Sequence, residues 1–445
     1  MVSQVVKERD SYAEAFSALQ KSAGLPSWVE RLREGAFARF EELGFPTTAQ
    51  EEWKYTNVAP LAKLRFEPAI EEESTLDANQ LQALAYKEAS QSRMVFVNGF
   101  YRPELSSLDG LPGGVRAMDL NDALKEEQYA EILRGQLARV GDYNENAFTA
   151  LNTAFLSSGA FLYIPKGVQV ESPVQLLFVM DGRGAQAFSS PRVLIICEQG
   201  SAATVIESYA SASDDEIYFT NAVVEVALAA GARLEHYKVQ RESLEAFHVA
   251  STQASLSRNS SFNSTTITLG ARLSRHNINV LLDEEGAECW VDGLYIVGEG
   301  QHADTHSLID HRQPHCTSRQ LYKGILDGKS RAVFNGKVFV RAGAQQTDAM
   351  QTNKNLLLSD EARVDTKPQL EIFADDVKCA HGATVGQLEE EELFYLASRG
   401  LHPDLARNLL TYGFAEEVID KIRIESIKAQ LDEAVLNRLH ASLEA

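Results

Sequence analysis

The feature that most constrains the fold is a series of regularly spaced turn signals that begins after residue 160. Short β-rich runs such as "VQLLFVM", "RVLIICE" and "RLEHYKV" are separated by small or polar residues, which recur about every 14–17 residues or at twice that interval. The turn positions are Gly200-Ser201, Gly231-Ala232, Asn259-Ser260, Gly286-Ala287, Gly300, Gly328, Gly343-Ala344 and Asp360-Glu361. A period of this length is typical of solenoid repeats.

The spacing predicts a β-solenoid with two strands per coil. Successive strand residues point alternately inward and outward, so a single coil cannot bury its inner row and coils must stack. Glycine suits the corners, where a positive φ is needed. A β-sandwich is the alternative, because its strands also follow one another at short, regular intervals.

Helical patterns flank the β-rich region. The changes from helical to strand-like periodicity and back predict three units: 1–158, 159–387 and 388–445. In the first unit, Tyr12, Phe16 and Leu19 have helical spacing, and a second helical run extends from Ser27, a candidate N-cap, to Gly44. "SRMVFVNGFYRP" is strand-like, with Asn98-Gly99 as a turn signal. "EEWKYTNVAPL" (residues 51–61), with Trp53 and Tyr55 beside Pro60, is expected to be a docking turn with packed aromatic side chains.

The third unit is expected to contain three helices. The first starts with acidic residues and ends with Arg399-Gly400, which matches the helix dipole and a glycine cap. Pro403 suits the first position of the second helix. The third carries a single apolar stripe: Ile427, Leu431, Val435 and Leu439. Such a unit either caps the solenoid or docks a partner.

Composition and motifs exclude several functions. The net charge of −21 argues against nucleic acid and anionic membrane surfaces, which need basic footprints, but it tolerates a basic protein partner. The four cysteines are scattered, the first residues lack a secretory signal, and no apolar run suits a membrane span, so a reducing cytoplasm is expected. The chain carries no GxSxG, GxxxxGK[ST] or GxGxxG motif.

Cys379 and His381, in "ADDVKCAHGATVG", are the candidate metal ligands. On a strand, residues i and i+2 face the same side, so the thiol and the imidazole converge. Both groups suit iron or zinc, but two ligands do not complete a tetrahedral site. The remaining ligands must come from elsewhere in this chain, from another chain or from bound sulfide. A buried thiol beside a hydrogen-bonded histidine is the alternative.

A second cluster, "GQHADTHSLIDHRQPHC", contains four histidines, His302, His306, His311 and His315. On a strand, His302, Asp304 and His306 share one face. The spacing matches no zinc motif, so a solvated outer face is the main expectation, with metal ligation or an interface role as alternatives.

Four segments carry a resemblance to a known family: "EEWKYT", "GKSRAVFNGKVFV" (residues 328–340), residues 351–386 and "LFYLASRGL" (residues 393–401). They resemble the SufB/SufD family of iron–sulfur cluster assembly proteins over most of the chain. The tract Cys-Ala-His at residues 379–381 is similar to that of the SufD branch, whereas the SufB branch tends to carry an acidic–His–acidic tract. Many SufD sequences have serine where Ala380 stands, and this departure removes a possible hydrogen bond but neither candidate ligand.

The resemblance implies a right-handed parallel β-helix between helical ends. It further implies a non-catalytic scaffold subunit that pairs with SufB at the end carrying Cys379 and His381. The ATPase SufC would bind the C-terminal helices and hydrolyse ATP, and the complex would build a nascent iron–sulfur cluster. The two residues would then be half of a transient iron or cluster site, with nothing bound in the isolated chain. A β-helix carbohydrate-active enzyme and a purely structural homodimer remain the alternatives.

Overall fold

The computed structural model describes residues 12–21, 24–69, 71, 76, 78–141, 143–181 and 186–441. Its strands are β1 (Glu67–Pro68), β2 (Arg93–Val97), β3 (Phe100–Tyr101), β4 (Arg116–Asp119), β5 (Gly159–Ile164), β6 (Val174–Met180), β7 (Ala187–Ser189), β8 (Arg192–Cys197), β9 (Ala202–Ser211), β10 (Phe219–Leu228), β11 (Arg233–Arg241), β12 (Phe247–Leu256), β13 (Ser261–Thr268), β14 (Leu273–Leu282), β15 (Glu288–Val297), β16 (His302–His311), β17 (Thr317–Leu326), β18 (Arg331–Val340), β19 (Thr347–Leu357), β20 (Arg363–Ile372) and β21 (Val377–Gly386).

From β8 onward, consecutive strands alternate between two parallel sheets, so each pair of strands forms one coil of a β-solenoid with about seven turns. The sheet with the even-numbered strands from β8 to β20 is called sheet A, and the other, from β9 to β21, sheet B. Phe247 pairs with Leu273 and Arg331 with Arg363, so one coil takes 26 to 32 residues. The predicted solenoid with two strands per coil is therefore confirmed, and the β-sandwich is excluded.

The corners of the coils explain the turn signals. Six of the predicted turn residues adopt a positive φ between 53° and 72°: Gly200, Gly231, Asn259, Gly286, Gly300 and Gly328. Three corners instead use residues that the turn pattern did not single out, Ala271 at φ 67°, His315 at φ 60° and Gln346 at φ 57°. Inside the coils, alternate side chains from both sheets form one continuous apolar core along the axis.

The N-terminal region combines helices with short strands that finish the sheets at one end. Residues 12–21 are helical, and the further helices are Ser27–Leu43, Ala59–Lys63, Ala78–Leu84, Leu120–Ala123, Glu127–Gln136 and Ala147–Ala154. Ser27 is the first helical residue rather than the cap, which is Pro26, whereas Gly44 ends the helix as predicted. At this end, β4 pairs antiparallel with β5, and β3 pairs antiparallel with β2, which itself lies beside β6.

The C-terminal helices are Glu390–Ser398, Pro403–Ile419 and Glu425–Ala441. Ile427, Leu431 and Val435 are buried against the outer face of sheet B, where they share a core with residues such as Val239 and Ile296. Leu439, the fourth predicted stripe residue, lies outside the described side chains. The helices Pro403–Ile419 and Glu425–Ala441 therefore lie along one side of the solenoid, and the helix Glu390–Ser398 contacts the first of these two. The division at residues 158 and 387 stays a prediction.

Candidate functional site

Cys379 and His381 lie on β21, the last strand of sheet B. Cys379 is in register with Ala349 of β19, and His381 is in register with Gln351. Ala349 is buried in a core cluster, and the Gln351 amide donates a hydrogen bond of 2.7 Å to Gln320 inside the solenoid. Because residues in register on parallel strands point the same way, the thiol and the imidazole share the inward face. Two residues along a strand span about 6.6 Å, so one ion between them is within reach of both side chains.

The pair is accessible because the stack ends there. In the described part of the chain, no strand continues either sheet beyond β20 and β21, and most of their residues are exposed or half-buried. Cys379 is half-buried and His381 is exposed. Large apolar side chains surround the opening, including Phe373, which is 62% exposed, and Val385, which is 47% exposed. We call this surface, formed by β20 and β21, the open end.

The open end does not activate the thiol. Partial burial raises the pKa of Cys379, and the Asp348 carboxylate raises it further, while a hydrogen bond to the backbone of Ala349 offsets only part of this. The thiol is therefore protonated at neutral pH and a poor nucleophile, and binding to a metal must displace its proton. Within the described residues, no group of three His, Cys, Asp or Glu side chains could hold a metal ion. A four-ligand site at Cys379 and His381 thus needs ligands beyond those that the described residues offer.

The His302–Asp304–His306 face is covered rather than solvated, so the expected solvated face is wrong. The segment "EEWKYT" packs on it. The Thr56 hydroxyl donates to Asp304 at 2.5 Å and lies 2.9 Å from His302 Nε2. His306 sits between Asp304, at 3.1 Å, and Glu52, at 3.2 Å. Residues 51–56 and the side chains beneath them are called the strap contact.

Arginine rather than a metal balances the charge at the strap contact. Arg275 Nη1 lies 2.7 Å from Asp304, and its guanidinium lies 3.7 Å from the centre of the Trp53 ring, so this tryptophan is packed as expected. Burial acts to raise the pKa of Asp304, but Arg275 and the nearby histidines outweigh it and hold that pKa well below its usual range. For His306, burial favours a lower pKa, but Asp304 and Glu52 outweigh it and the pKa is raised. The contact is a closed network of charges that fastens the N-terminal region to the solenoid.

The other two histidines of the cluster have unrelated positions. His311 points inward, and its Nε2 lies 2.9 Å from the Ser318 hydroxyl. Burial lowers the pKa of His311 to about 4, so the ring is neutral at physiological pH. His315 is a corner residue whose side chain is half exposed and lies 3.9 Å from Glu285. The four histidines therefore do not form one site.

A second polar network, which the sequence patterns did not indicate, is fully buried between the two sheets. Lys238 Nζ lies 3.3 Å from Glu207 and 3.0 Å from His248, which in turn lies 2.7 Å from Glu242. The imidazole of His236 lies 2.9 Å from Glu207. Lys238 is the main group that offsets burial and keeps the pKa of Glu207 far below its usual range. One sequence feature could have indicated this network, namely charged residues at strand positions that point inward. Glu207 and Lys238 are two such residues, and they are in register on adjacent strands.

The C-terminal helices leave apolar side chains uncovered on the side away from sheet B. Phe394 is 75% exposed, and Tyr395 and Leu405 are each 57% exposed. The helix Glu390–Ser398 has no buried residue in the described structure. Clustered exposed apolar side chains are typical of contact surfaces. We call this surface the helix patch.

In the described residues, no helix is long and apolar enough to cross a membrane.

The fold and the site together define a β-solenoid protein with one finished end, one open end and a helical side domain. Exposed edge strands such as those of the open end suit docking to another chain. The sequence matches the family model for the SUF system FeS cluster assembly SufBD core domain over residues 178–414, and the model for the SufBD protein N-terminal region over residues 7–176. The chain therefore belongs to the SufB/SufD family, and its role lies in SUF iron–sulfur cluster assembly.

Several relatives support this placement. An iron–sulfur cluster assembly SufBD family protein of Synechocystis is 38% identical, covering 91% of this chain and 89% of the relative. The iron–sulfur cluster assembly protein SufD of Escherichia coli is 34% identical, covering 89% of this chain and 90% of the relative. SufD of Bacillus subtilis is 28% identical, with 94% and 95% covered.

Proposed function

We propose that this chain is a non-catalytic scaffold subunit that pairs with SufB through its open end and binds the ATPase SufC through its helix patch. At the joint with SufB, Cys379 and His381 contribute part of a ligand set for iron or a nascent iron–sulfur cluster, which is cargo rather than a resident cofactor. The observation that carries the proposal is the open end, where a thiol and an imidazole share one accessible face.

An incomplete ligand set suits a scaffold that must release what it assembles. Two residues from this chain and further ligands from SufB or sulfide hold a cluster only while the two chains are joined. Movement of the joint would then separate the ligands. Nucleotide binding to SufC supplies the differential binding energy for such a movement, and this chain transmits it through the helices that lie along sheet B.

The ligand role is tested in the anaerobically reconstituted complex of this chain with SufB and SufC. Cys379→Ala and His381→Ala should each lower the iron and sulfide retained per complex, because each removes one ligand. Thr384→Ala is the matched control, because this exposed residue lies on the same strand but on the opposite face. Cluster assembly by both ligand variants at the parental rate, with parental iron content, would refute the ligand role.

The two docking surfaces can be separated with single substitutions. Phe373→Ser at the open end should weaken pairing with SufB and leave SufC binding intact, whereas Phe394→Ser in the helix patch should do the reverse. Both residues are more than half exposed, so neither change should unfold the chain. Deletion from Glu389 onward is a poorer test, because it also uncovers the apolar face of sheet B that Ile427 and Leu431 cover. Equal effects of both variants on both partners would contradict the assignment.

A structural homodimer without metal chemistry is the second candidate, because the open end can also receive another copy. Light scattering of the isolated chain, with Phe373→Ser as the disrupting variant, measures that association. Anaerobic iron and sulfide analysis of the complex against each subunit alone then distinguishes the two functions. Family membership leaves the carbohydrate-active enzyme without support.

A further inference from the structure

We infer that a cavity in the N-terminal region, remote from the open end, binds a phosphate-bearing small molecule of nucleotide size. The cavity lies between the helices Ser27–Leu43 and Glu127–Gln136 and the loop that follows the second helix, and its volume is about 570 Å³. This volume falls in the range of about 300–1,000 Å³ that is usual for small-molecule sites. The inference does not depend on the proposed scaffold function.

Among the described residues that line this cavity, three are arginines and none carries a carboxylate; the arginines are Arg31, Arg134 and Arg139. In the described part of the chain, none of the three forms an ion pair, although acidic residues outnumber basic ones by 63 to 42. All three side chains are exposed and so remain available. Three guanidinium groups without an ion-pair partner among the described residues create a local positive field in an acidic chain, and such a field attracts anions.

The walls between the arginines are aromatic. Trp28 and Tyr143 line the cavity and are half-buried. The Arg134 guanidinium lies 6.0 Å from the centre of the Trp28 ring, so this arginine is positioned over an aromatic surface. Aromatic faces next to cationic groups suit a ligand that combines a planar ring with an anionic group.

The loop wall of the cavity is held in place from inside the protein. The backbone N–H groups of Ala138 and Gly141 each donate to the Glu225 carboxylate at 3.0 Å. Glu225 lies on β10, is fully buried, and pairs with the buried Arg192. Ala138 adopts a φ of 57°, a conformation that an alanine keeps only when its surroundings impose it. The site is thus preorganised, which reduces the entropic cost of binding.

Phosphate is the anion that fits best. Guanidinium groups bind phosphate through two parallel N–H···O bonds, and several phosphate groups can engage all three arginines at once. A compact cavity accepts a small molecule with a ring, whereas an acidic protein segment would need a longer groove. The expected ligands are therefore phosphorylated metabolites that carry an aromatic base.

The test uses the full chain without partners. ATP, ADP, adenosine and inorganic pyrophosphate are titrated by calorimetry and by Trp28 fluorescence, at low and at high salt. ATP and ADP should bind and perturb Trp28, pyrophosphate should bind more weakly, and adenosine should not bind. Each of Arg31→Ala, Arg134→Ala and Arg139→Ala should weaken ATP binding about tenfold, the expected loss for a hydrogen bond to a charged group. Arg233→Ala, an exposed arginine elsewhere, should have no effect.

Substitution by lysine sharpens the test. Arg134→Lys keeps the charge but removes the planar fork, so it should still weaken ATP binding. The inference is overturned if no phosphate-bearing probe binds at millimolar concentration, or if the triple alanine variant binds ATP like the parent. Binding of poly-glutamate in the absence of any ATP binding would show that the cavity serves an acidic protein segment instead.

Discussion

Asp304→Asn should loosen the strap contact and destabilise the whole chain. Asp304 is fully buried and faces the guanidinium of Arg275, which is itself 2% exposed, so the substitution leaves a buried cation without its partner. Loss of one partner of a buried ion pair costs about 3–5 kcal/mol. With an unfolding entropy of about 2.1 cal/mol/K per residue, a chain of 445 residues should lose roughly 3–5 °C in Tm.

The matched control is Asp365→Asn, in the same register row two strands further along sheet A. Asp365 pairs with Arg331 at 2.6 Å, but both side chains are at least one-third exposed, so its loss should cost less than about 1 kcal/mol.

Calorimetry measures the Tm of both variants, and Trp53 fluorescence in a Trp28→Phe, Trp290→Phe background reports on the strap contact itself. Trp53 emission should move to longer wavelength in the Asp304 variant, because water reaches a ring that now packs on Arg275. Equal Tm losses in the two variants, or an unchanged Trp53 spectrum, would refute the reasoning that a buried charge network fastens the strap contact.

Three further predictions concern the solenoid interior. The pKa of His311 in the folded protein, about 4, lies below its value in the unfolded chain, so the unfolded state binds the proton first as the pH falls. The free energy of unfolding should therefore fall by about 3 kcal/mol between pH 6.5 and 4. In urea titrations at several pH values, His311→Asn should remove this part of the pH dependence. Gly293→Ala places a Cβ 2.1 Å from the Tyr322 ring and should lower the free energy of unfolding by at least about 3 kcal/mol. Gly135→Ala adds a Cβ to an exposed helix face with open space around it, and it should raise the free energy of unfolding by about 0.5–1 kcal/mol in the same assay. Lys238→Met should cost about 3–5 kcal/mol at pH 7, because the buried Glu207 carboxylate loses its ion-pair partner and Glu242 loses a nearby positive charge. The loss should shrink in acid as these carboxylates become protonated in the variant, and a pH-independent loss would contradict this.

The overall fold could be predicted from the sequence because its determinants are local. Residues at the corners need a positive φ, and residues such as Gly200 and Asn259 adopt it at regular intervals. The length of one coil can therefore be read from the spacing of these residues. The shared face of Cys379 and His381 follows in the same way from the two-residue alternation of a strand. The corner at His315 was missed because its residue type carries no turn signal.

Contacts between distant parts of the chain could not be predicted from local sequence patterns. The His302 face was expected to be solvated, because nothing local indicates that Thr56, nearly 250 residues earlier, covers it. The buried network around Lys238 was missed for a similar reason: alternation indicates which residues point inward but not which charges meet. Sequence patterns gave the positions of side chains on each element, and tertiary packing decided their partners.

The two ends of the solenoid differ, and this difference limits where the coil stack can be extended. At one end the sheets finish in β3 and β4, which run antiparallel to their neighbours and have two and four residues. A coil stack that could add units at both termini would polymerise without limit, like a fibril. With one terminus blocked, the coil stack of this chain can be extended only at the open end, by one joint per chain.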